Sequence, residues 1–302
     1  MDAFNPSSQL SMANRAPMRI GAYALAVRDL DRVAAFYQRA VGLDLLAHTA
    51  DGATLGIAGV ALLHLERAPN ALPDDAATAG LFHTAFVLPS RAHLAAWCRH
   101  AQQSGIAITR TGDHLVNEAI YYDDPEGNGC ECYADRPPET WEWYDDGTCE
   151  IATGRPVDLD ALVAEAPGDG AWQPPAALRI GHINLRVGDY AAAERFYSGV
   201  IGLDFTGRRH INFAGRTDRT ITFMSSGRYH HHLAANDFTS QGAMLRDPDR
   251  AGLTWFAIEV ADTGRLEAAR ARLAAQGLAV TPVADGFETR DPWGTRVRLV
   301  AA

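Results

Sequence analysis

Residues 180–187 read Ile-Gly-His-Ile-Asn-Leu-Arg-Val, and a matching Ile-Gly pair stands at residues 20–21. The same offset of 160 positions continues without a gap through two further motifs, Phe36-Tyr37 with Phe196-Tyr197 and Gly42-Leu43-Asp44 with Gly202-Leu203-Asp204. Self-similarity at a fixed offset indicates a structural unit that occurs more than once in a chain. The repeat therefore indicates a fold built from duplicated units.

A second repeat follows each copy of the first. Gly80-Leu81 recurs as Gly252-Leu253 at an offset of 172, and Asp124-Pro125 recurs as Asp291-Pro292 at an offset of 167. The earlier copy therefore carries five extra residues between Thr109 and Asp124. The chain is predicted to contain four modules, which we call A, B, A′ and B′, at about residues 18–68, 80–136, 178–238 and 252–300.

Each module opens with a strand pattern and continues with a helix pattern. In residues 181–187, Ile183, Leu185 and Val187 share one face, and His182, Asn184 and Arg186 share the other, as a period of two requires. An amphipathic helix then follows, which Asp31 can cap in module A. Two or three more strands, separated by Gly and Pro turns, close each unit.

This order predicts an α+β fold of four βαβββ modules. They pair into two cup-shaped mixed or antiparallel sheets with the helices outside. We expect residues 1–17 to form a disordered leader, 18–136 a first domain (A and B), and 178–302 a second domain (A′ and B′). The proline-rich residues 137–177 are predicted to be a connector with a short helix near residues 158–165.

The composition of the 302 residues excludes several classes of protein. The chain has 27 Lys and Arg against 37 Asp and Glu, a formal net charge of −10, which argues against nucleic-acid or anionic-membrane partners. No stretch approaches the ~18 apolar residues that a membrane helix needs. Only four cysteines are present, so we expect a reducing, cytoplasmic location rather than a disulfide framework.

Polar residues occur on strand faces that should line a cup. His83 lies in the opening strand of module B, Glu131 in the last strand of that module, and His182 in the opening strand of A′. The run His230-His231-His232 follows Tyr229, and as a strand it would direct His231 to one face and its two neighbours to the other. Each residue alone has an ordinary structural explanation. Two imidazoles and one carboxylate from separate strands, however, are what a facial metal triad for Fe(II), or Mn(II), requires.

Three stretches resemble the vicinal oxygen chelate superfamily, which includes glyoxalases, bleomycin resistance proteins and extradiol dioxygenases. They are residues 113–131, with the motif Asp-Pro-Glu-Gly-Asn-Gly-Cys-Glu, residues 181–185 and residues 229–233. The resemblance covers about residues 18–300 and is strongest to the two-domain catechol 2,3-dioxygenases. It implies ring opening of catechol-type diols beside the two hydroxyls, with dioxygen as the second substrate.

Carried over residue by residue, the resemblance implies Fe(II), or Mn(II), held by His83, Glu131 and His182. It also implies that Tyr121 hydrogen-bonds a substrate hydroxyl, that His231 is the acid/base residue, and that His114 is a second-shell or substrate-contacting group. The sequence departs from the family pattern at one point. In the better-known extradiol enzymes the ligands come from the last two modules, whereas here B′ carries Trp255 and Arg298 at the positions that correspond to His83 and Glu131. The site can therefore form only if B pairs with A′ and A pairs with B′.

Two other functions on the same fold stay open at this point. One is a metal-dependent isomerase or thiol transferase of the glyoxalase type, and the other is a non-enzymatic protein that sequesters a small molecule. We also expect a homo-oligomer. Phe82, Phe86, Phe223 and Phe256 are candidates for the walls of the cup, although periodicity alone does not decide among them.

Overall fold

In the computed structural model, residues 10–168 and 170–302 are described, and their strands form two eight-stranded sheets. The first sheet is built from modules A and B′. In spatial order its strands are β14 (Thr281–Val283), β15 (Gly286–Arg290), β16 (Arg296–Ala301), β13 (Gly252–Val260), β1 (Met18–Val27), β4 (Val60–Arg67), β3 (Gly52–Ile57) and β2 (Asp44–His48). The opening strands of the two modules, β1 and β13, are antiparallel neighbours at its centre.

The second sheet is built from modules B and A′. In spatial order its strands are β10 (Asp204–Phe213), β11 (Arg216–Ser225), β12 (Leu233–Asn236), β9 (Arg179–Arg186), β5 (Gly80–Leu88), β8 (Gly129–Asp135), β7 (Asn117–Asp123) and β6 (Ile108–Asp113). Here β5 and β9 pair antiparallel, with Ala85 opposite His182. The expected pairing of B with A′, and of A with B′, is confirmed.

Apart from the short helix at Met12–Arg15, the helices pack on the side of each sheet that faces away from the cup. The helices are α1 (Met12–Arg15), α2 (Leu30–Ala40), α3 (Arg91–Gln103), α4 (Leu159–Ala164), α5 (Tyr190–Glu194), which continues as a π-helical segment (Arg195–Ile201), and α6 (Thr263–Ala275), with a 3₁₀ turn at Pro138–Thr140. The short helix predicted in the connector is α4, capped by Asp158. The predicted cap of α2 is wrong: Asp29, not Asp31, accepts the hydrogen bond from the backbone N–H of Arg32, because the helix begins one residue earlier than Asp31.

The repeated motifs meet where consecutive modules share their helical core. The Tyr37 hydroxyl of module A donates to Asp124 of module B over 3.4 Å, and Tyr197 of A′ donates to Asp291 of B′ over 2.9 Å. Trp97 on α3 is fully buried and donates its indole N–H to the Ala40 carbonyl at the end of α2. The two modules of each half (A with B, and A′ with B′) thus share a helical core, whereas modules from opposite halves share a sheet.

Two further segments bear on the site. The five extra residues of module B lengthen the β6–β7 hairpin beyond its counterpart β14–β15 and place His114 at its turn. Residues 1–9 of the predicted leader lie outside the described residues, but α1 is folded, and the Asn14 side chain donates to the Ile180 carbonyl over 2.8 Å. Within the described residues, none of the helices has the length and apolar character needed to cross a bilayer.

Candidate metal centre and its cavity

His83, Glu131 and His182 lie on three adjacent strands of the second sheet, β5, β8 and β9. The Nε2 atom of His83 is 3.0 Å from Glu131 Oε2, and that of His182 is 3.3 Å from the same oxygen. The two Nε2 atoms are 3.3 Å apart. The three residues that were separated by up to 99 positions in the sequence therefore present their ligand atoms to one point.

The alternation of β8 explains which groups reach this point. Glu131 faces the cup, whereas Cys130 and Cys132 on either side of it belong to the helix-side core. Both cysteines are buried and free. The prediction that this pair consists of two small core residues, rather than a thiolate site, is confirmed.

The charge states of His83 and Glu131 are those that a divalent cation needs. Burial lowers the pKa of His83 to about 4, against the opposing influence of Glu131, so the imidazole is neutral at pH 7. Burial alone would raise the pKa of Glu131, but His182 and His83 beside it hold that pKa well below its usual range. Metal ligands must be deprotonated, and the neutral imidazole of His83 and the ionised carboxylate of Glu131 meet this requirement.

The hydrogen bonding of Glu131 also fits a cation. The residue is fully buried, and neither of its carboxylate oxygens receives a hydrogen bond from any residue that the structure describes. A buried carboxylate that accepts no hydrogen bond is very costly, so such groups are normally paired or bound to a metal. The set of two nitrogen ligands and one oxygen ligand on one face suits Fe(II) or Mn(II) in a site with open positions.

Three further residues predicted from the sequence surround the triad. The ring of His231 lies 4.2 Å from that of His182 between centroids, and the ring of Tyr121 lies 5.3 Å from that of His83. The Tyr121 hydroxyl and His114 Nε2 are 2.8 Å apart, and His114 Nδ1 is 2.8 Å from the Ala152 carbonyl. Burial raises the pKa of Tyr121 well above its usual value, so this hydroxyl keeps its proton.

The histidine run does not form a strand as predicted. Residues 226–232 are a loop between β11 and β12, and Gly227 and Arg228 have positive φ angles of 67° and 58° that turn the chain. His231 nevertheless faces the cup, whereas His230 and His232 are directed away from it, to Asp135 and to the Ala13 carbonyl respectively.

The triad lies at one wall of a cavity of about 580 Å³, a size in the range of small-molecule sites. Phe82 and Phe223 line it, as expected, together with Phe213, Phe238 and three isoleucines (Ile151, Ile211 and Ile221). The other two candidates, Phe86 and Phe256, are wrong, because both are buried in the helix-side core. Apolar walls of this kind exclude water and accommodate a flat ring.

Sequence reasoning missed several polar groups beside the triad. Arg110 lines the cavity, and its guanidinium lies 3.9 Å from the ring centre of Tyr121. Asn117 also lines it, fully buried, and its amide has no hydrogen-bond partner among the described residues. Asn117 could have been predicted from the sequence, because the period of two along β7 puts it on the same face as Tyr121, four residues later.

The equivalent position of the first sheet holds no such cluster. The Arg298 guanidinium lies 3.7 Å from the ring centre of Trp255 and pairs with Glu288 over 2.9 Å. Trp255 in turn donates to Glu66 over 3.1 Å. Metal-ligating side chains are those of His, Cys, Asp and Glu. Over residues 10–168 and 170–302, the one group of three or more that lies close enough to share an ion is His83, Glu131 and His182.

Comparison with known proteins agrees with this architecture. The family model of the Glyoxalase/Bleomycin resistance protein/Dioxygenase superfamily matches residues 19–132 and 179–299, which together span most of the chain. The chain belongs to this superfamily. The two matched stretches contain seven strands of the second sheet and the start of β8, and they include all three residues of the triad.

One superfamily relative is a catechol-2,3-dioxygenase from Bacillus subtilis (strain 168). It is 35% identical to this chain over 276 residues, which cover 90% of this chain and 93% of the relative. Among solved structures, a putative dioxygenase from Bacillus subtilis has a TM-score of 0.60 at 14% identity and covers 93% of this chain and 84% of its own. Glyoxalase I from Zea mays has a TM-score of 0.58 at 18% identity, with coverage of 96% and 94%. At these identities, the two structures show the shared fold alone.

Proposed function

We propose that the protein is an extradiol dioxygenase that opens the ring of a catechol-type diol with dioxygen and Fe(II). The observation that carries the proposal is the buried triad of His83, Glu131 and His182, which faces a largely apolar cavity. The superfamily relative named a catechol-2,3-dioxygenase supports the same reaction class. A glyoxalase-type isomerase and a sequestering protein are the alternatives that the experiment below separates from it.

His83, Glu131 and His182 would hold the iron, with Mn(II) as a possible substitute. When bound, the metal supplies Lewis acidity toward the diol and a common coordination sphere for both substrates, which removes much of the entropic barrier. Three protein ligands on one face leave positions for the substrates.

The surrounding side chains would bind and orient the diol. The Tyr121 hydroxyl, which lies 2.8 Å from His114 Nε2 and lines the cavity, would contact a substrate hydroxyl at the edge of the triad. Phe82 and Phe223 would enclose the ring and exclude water, which strengthens every polar interaction inside the cavity. The positions of these groups around the triad support a small, flat, oxygen-bearing substrate.

His231 would act as the acid/base residue. Its ring lies against His182 and lines the cavity, so one imidazole nitrogen faces the space next to the triad. A positioned imidazole typically contributes about 10²- to 10⁴-fold to a rate that depends on proton transfer. It can accept the proton of a substrate hydroxyl and return a proton during ring opening.

The test is ring cleavage by the iron-loaded protein. The protein is loaded with Fe(II) without oxygen and mixed with a panel of substituted catechols, and air is then admitted. A yellow semialdehyde product with equimolar uptake of dioxygen supports the proposal. Bound iron without colour or oxygen uptake would overturn it in favour of the isomerase or sequestering alternatives.

Two variants make the assay specific. Glu131→Gln changes a proposed ligand, whereas Glu288→Gln changes a glutamate at the corresponding end of the first sheet, away from the cavity. We expect the first variant to lose iron and product formation and the second to retain both. Elemental measurement of the protein as purified, before any iron is added, distinguishes iron from manganese.

A further inference from the structure

A chain of hydrogen bonds runs from His231 to a carboxylate behind the cavity wall. His231 Nδ1 lies 2.8 Å from His230 Nδ1, and His230 Nε2 lies 2.8 Å from Asp135 Oδ1. Asp135 is the last residue of β8, four residues beyond Glu131 and on the same face of that strand. The strand β8 therefore supplies both a proposed metal ligand, Glu131, and the carboxylate at the end of this series of hydrogen bonds.

The direction of the hydrogen bonds follows from the donor and acceptor capacity of each group. A carboxylate only accepts, so His230 must donate from Nε2 to Asp135. A neutral imidazole has one donor and one acceptor, which leaves Nδ1 of His230 as an acceptor. His231 must then donate from its own Nδ1, and its Nε2 carries a lone pair. That Nε2 hydrogen-bonds no described residue, and His231 lines the cavity.

We propose that Asp135, acting through His230, is a positioning residue that fixes His231 in the Nδ1–H tautomer, with Nε2 presented to the cavity as an acceptor. The catalytic consequence rests on the proposed function. In that reaction, Nε2 can take the proton of a substrate hydroxyl, which the opposite tautomer could not do.

The residues around Asp135 and His230 hold this series of hydrogen bonds in place. The Tyr229 hydroxyl donates to both carboxylate oxygens over 3.1 Å, and Tyr133 lies 2.6 Å from Tyr229 between hydroxyls. The ring of Trp141 packs 5.0 Å from that of His230 between centroids, and His230 is fully buried. Because His230 and Asp135 each have more than one hydrogen-bond partner, neither can turn away without losing hydrogen bonds.

His232 provides an internal comparison within the same run. Its Nδ1 contacts the Ser225 hydroxyl over 2.8 Å, and its Nε2 contacts the Ala13 carbonyl over 2.9 Å. Both contacts anchor the loop and α1 rather than the cavity. His232 is therefore a matched control that has the same residue type, burial and loop but no link to His231.

The test is the tautomer of His231, read by long-range ¹H–¹⁵N correlation NMR on ¹⁵N-histidine protein at pH 8, where unperturbed imidazoles are neutral. Zinc replaces iron, because it is diamagnetic, and the His231 signals are identified by their loss in His231→Gln. We expect a protonated Nδ1 in the wild type. In Asp135→Asn we expect the amide oxygen to keep the hydrogen bond from Tyr229, so that the NH2 group faces His230, reverses both hydrogen bonds and moves the proton of His231 to Nε2.

Turnover gives the second readout. In a serine protease, replacing the aspartate that sets a histidine tautomer by asparagine lowers kcat by about 10⁴-fold. Here Asp135 acts through an intervening ring, so we expect Asp135→Asn to lower kcat by about 10²-fold or more with KM nearly unchanged. His230→Phe, which keeps a buried ring without an acceptor, should also reduce the Nδ1–H population, whereas His232→Gln should leave it unchanged.

Two results would overturn the inference: a wild-type His231 protonated at Nε2, or an Asp135→Asn protein with the wild-type tautomer. The spectra do not depend on turnover. A protein that cleaves no catechol but shows the expected tautomers would therefore refute the proposed function and leave this inference standing.

Discussion

The replacement of Glu131 by Gln is the most informative perturbation of the metal centre, because it removes a ligand charge while it keeps the side-chain volume. A metal present at 100 times its Kd, and bound only by the folded protein, adds about 2.7 kcal/mol to the free energy of unfolding. At about 2 °C per kcal/mol for a chain of this size, the Tm of the wild type should rise by about 5 °C.

The variant should lose most of this gain. Changes to groups behind a ligand weaken metal binding about 10- to 100-fold, so loss of a ligand weakens it by at least about 100-fold. At the same metal concentration the stabilisation then falls to about 0.4 kcal/mol, or about 1 °C in Tm. The assay is thermal unfolding with and without Mn(II), in parallel with Glu288→Gln, which should behave like the wild type. A full metal-dependent rise in Glu131→Gln would refute the assignment of Glu131 as a ligand.

The remaining predictions concern the substrate pocket, the core and a buried carboxyl. Tyr121→Phe should keep the metal-dependent rise in Tm but lower kcat/KM for catechols about 10- to 100-fold, the value of a hydrogen bond to a charged group, and an unchanged kcat/KM would contradict this role. Trp97→Ala should lower the free energy of unfolding in urea by about 3–5 kcal/mol, because it leaves a cavity in a fully buried site; a loss below 1 kcal/mol would mean that the site collapses. Burial raises the pKa of Asp291 to about 6, above the value of about 3.9 in an unfolded chain, so the protonated form favours the folded state. The wild type should therefore lose about 3 kcal/mol relative to Asp291→Asn as the pH rises from 4 to above 6, and a stability difference that is independent of pH would contradict this.

The module order and the location of the triad could be predicted because both depend on short-range patterns. The repeat offsets identified the four units, and the period of two assigned Glu131 and its neighbouring cysteines to opposite faces of β8. The absence of ligand residue types at Trp255 and Arg298 then required B to pair with A′. These inferences needed no knowledge of side-chain packing.

Irregular backbone explains most of what the sequence did not predict. In β5 the pairing with β9 shifts between Leu81 and His83 and again between Ala85 and Phe86. The extra residue is Phe82 of β5 in the first shift and Gly181 of β9 in the second. The bulge at Phe82 reverses the alternation of faces along β5, so Phe82 lines the cavity while Phe86, four residues later, lies in the core. The loop at residues 226–232 is similar: its Ser-Gly pair is a turn signal, but the strand-like residues around it concealed the turn.

Asp135 illustrates a different limit. Its position on the face of Glu131 follows from the period of two, but its contact with His230 depends on a loop from another module. Contacts between distant segments of this kind cannot be derived from a single sequence without the pairing of the strands that carry them. The structure was therefore needed to connect the histidine run to β8.

The central claim is that one divalent ion is held jointly by modules B and A′. The most direct measurement is a crystal structure of the Fe(II)-loaded protein, with anomalous diffraction data collected on both sides of the iron absorption edge. We predict one strong anomalous peak bonded to Nε2 of His83, Nε2 of His182 and a carboxylate oxygen of Glu131, with metal–ligand distances of about 2.0–2.3 Å. An iron peak elsewhere in the molecule, or none within bonding distance of these three side chains, would contradict the account.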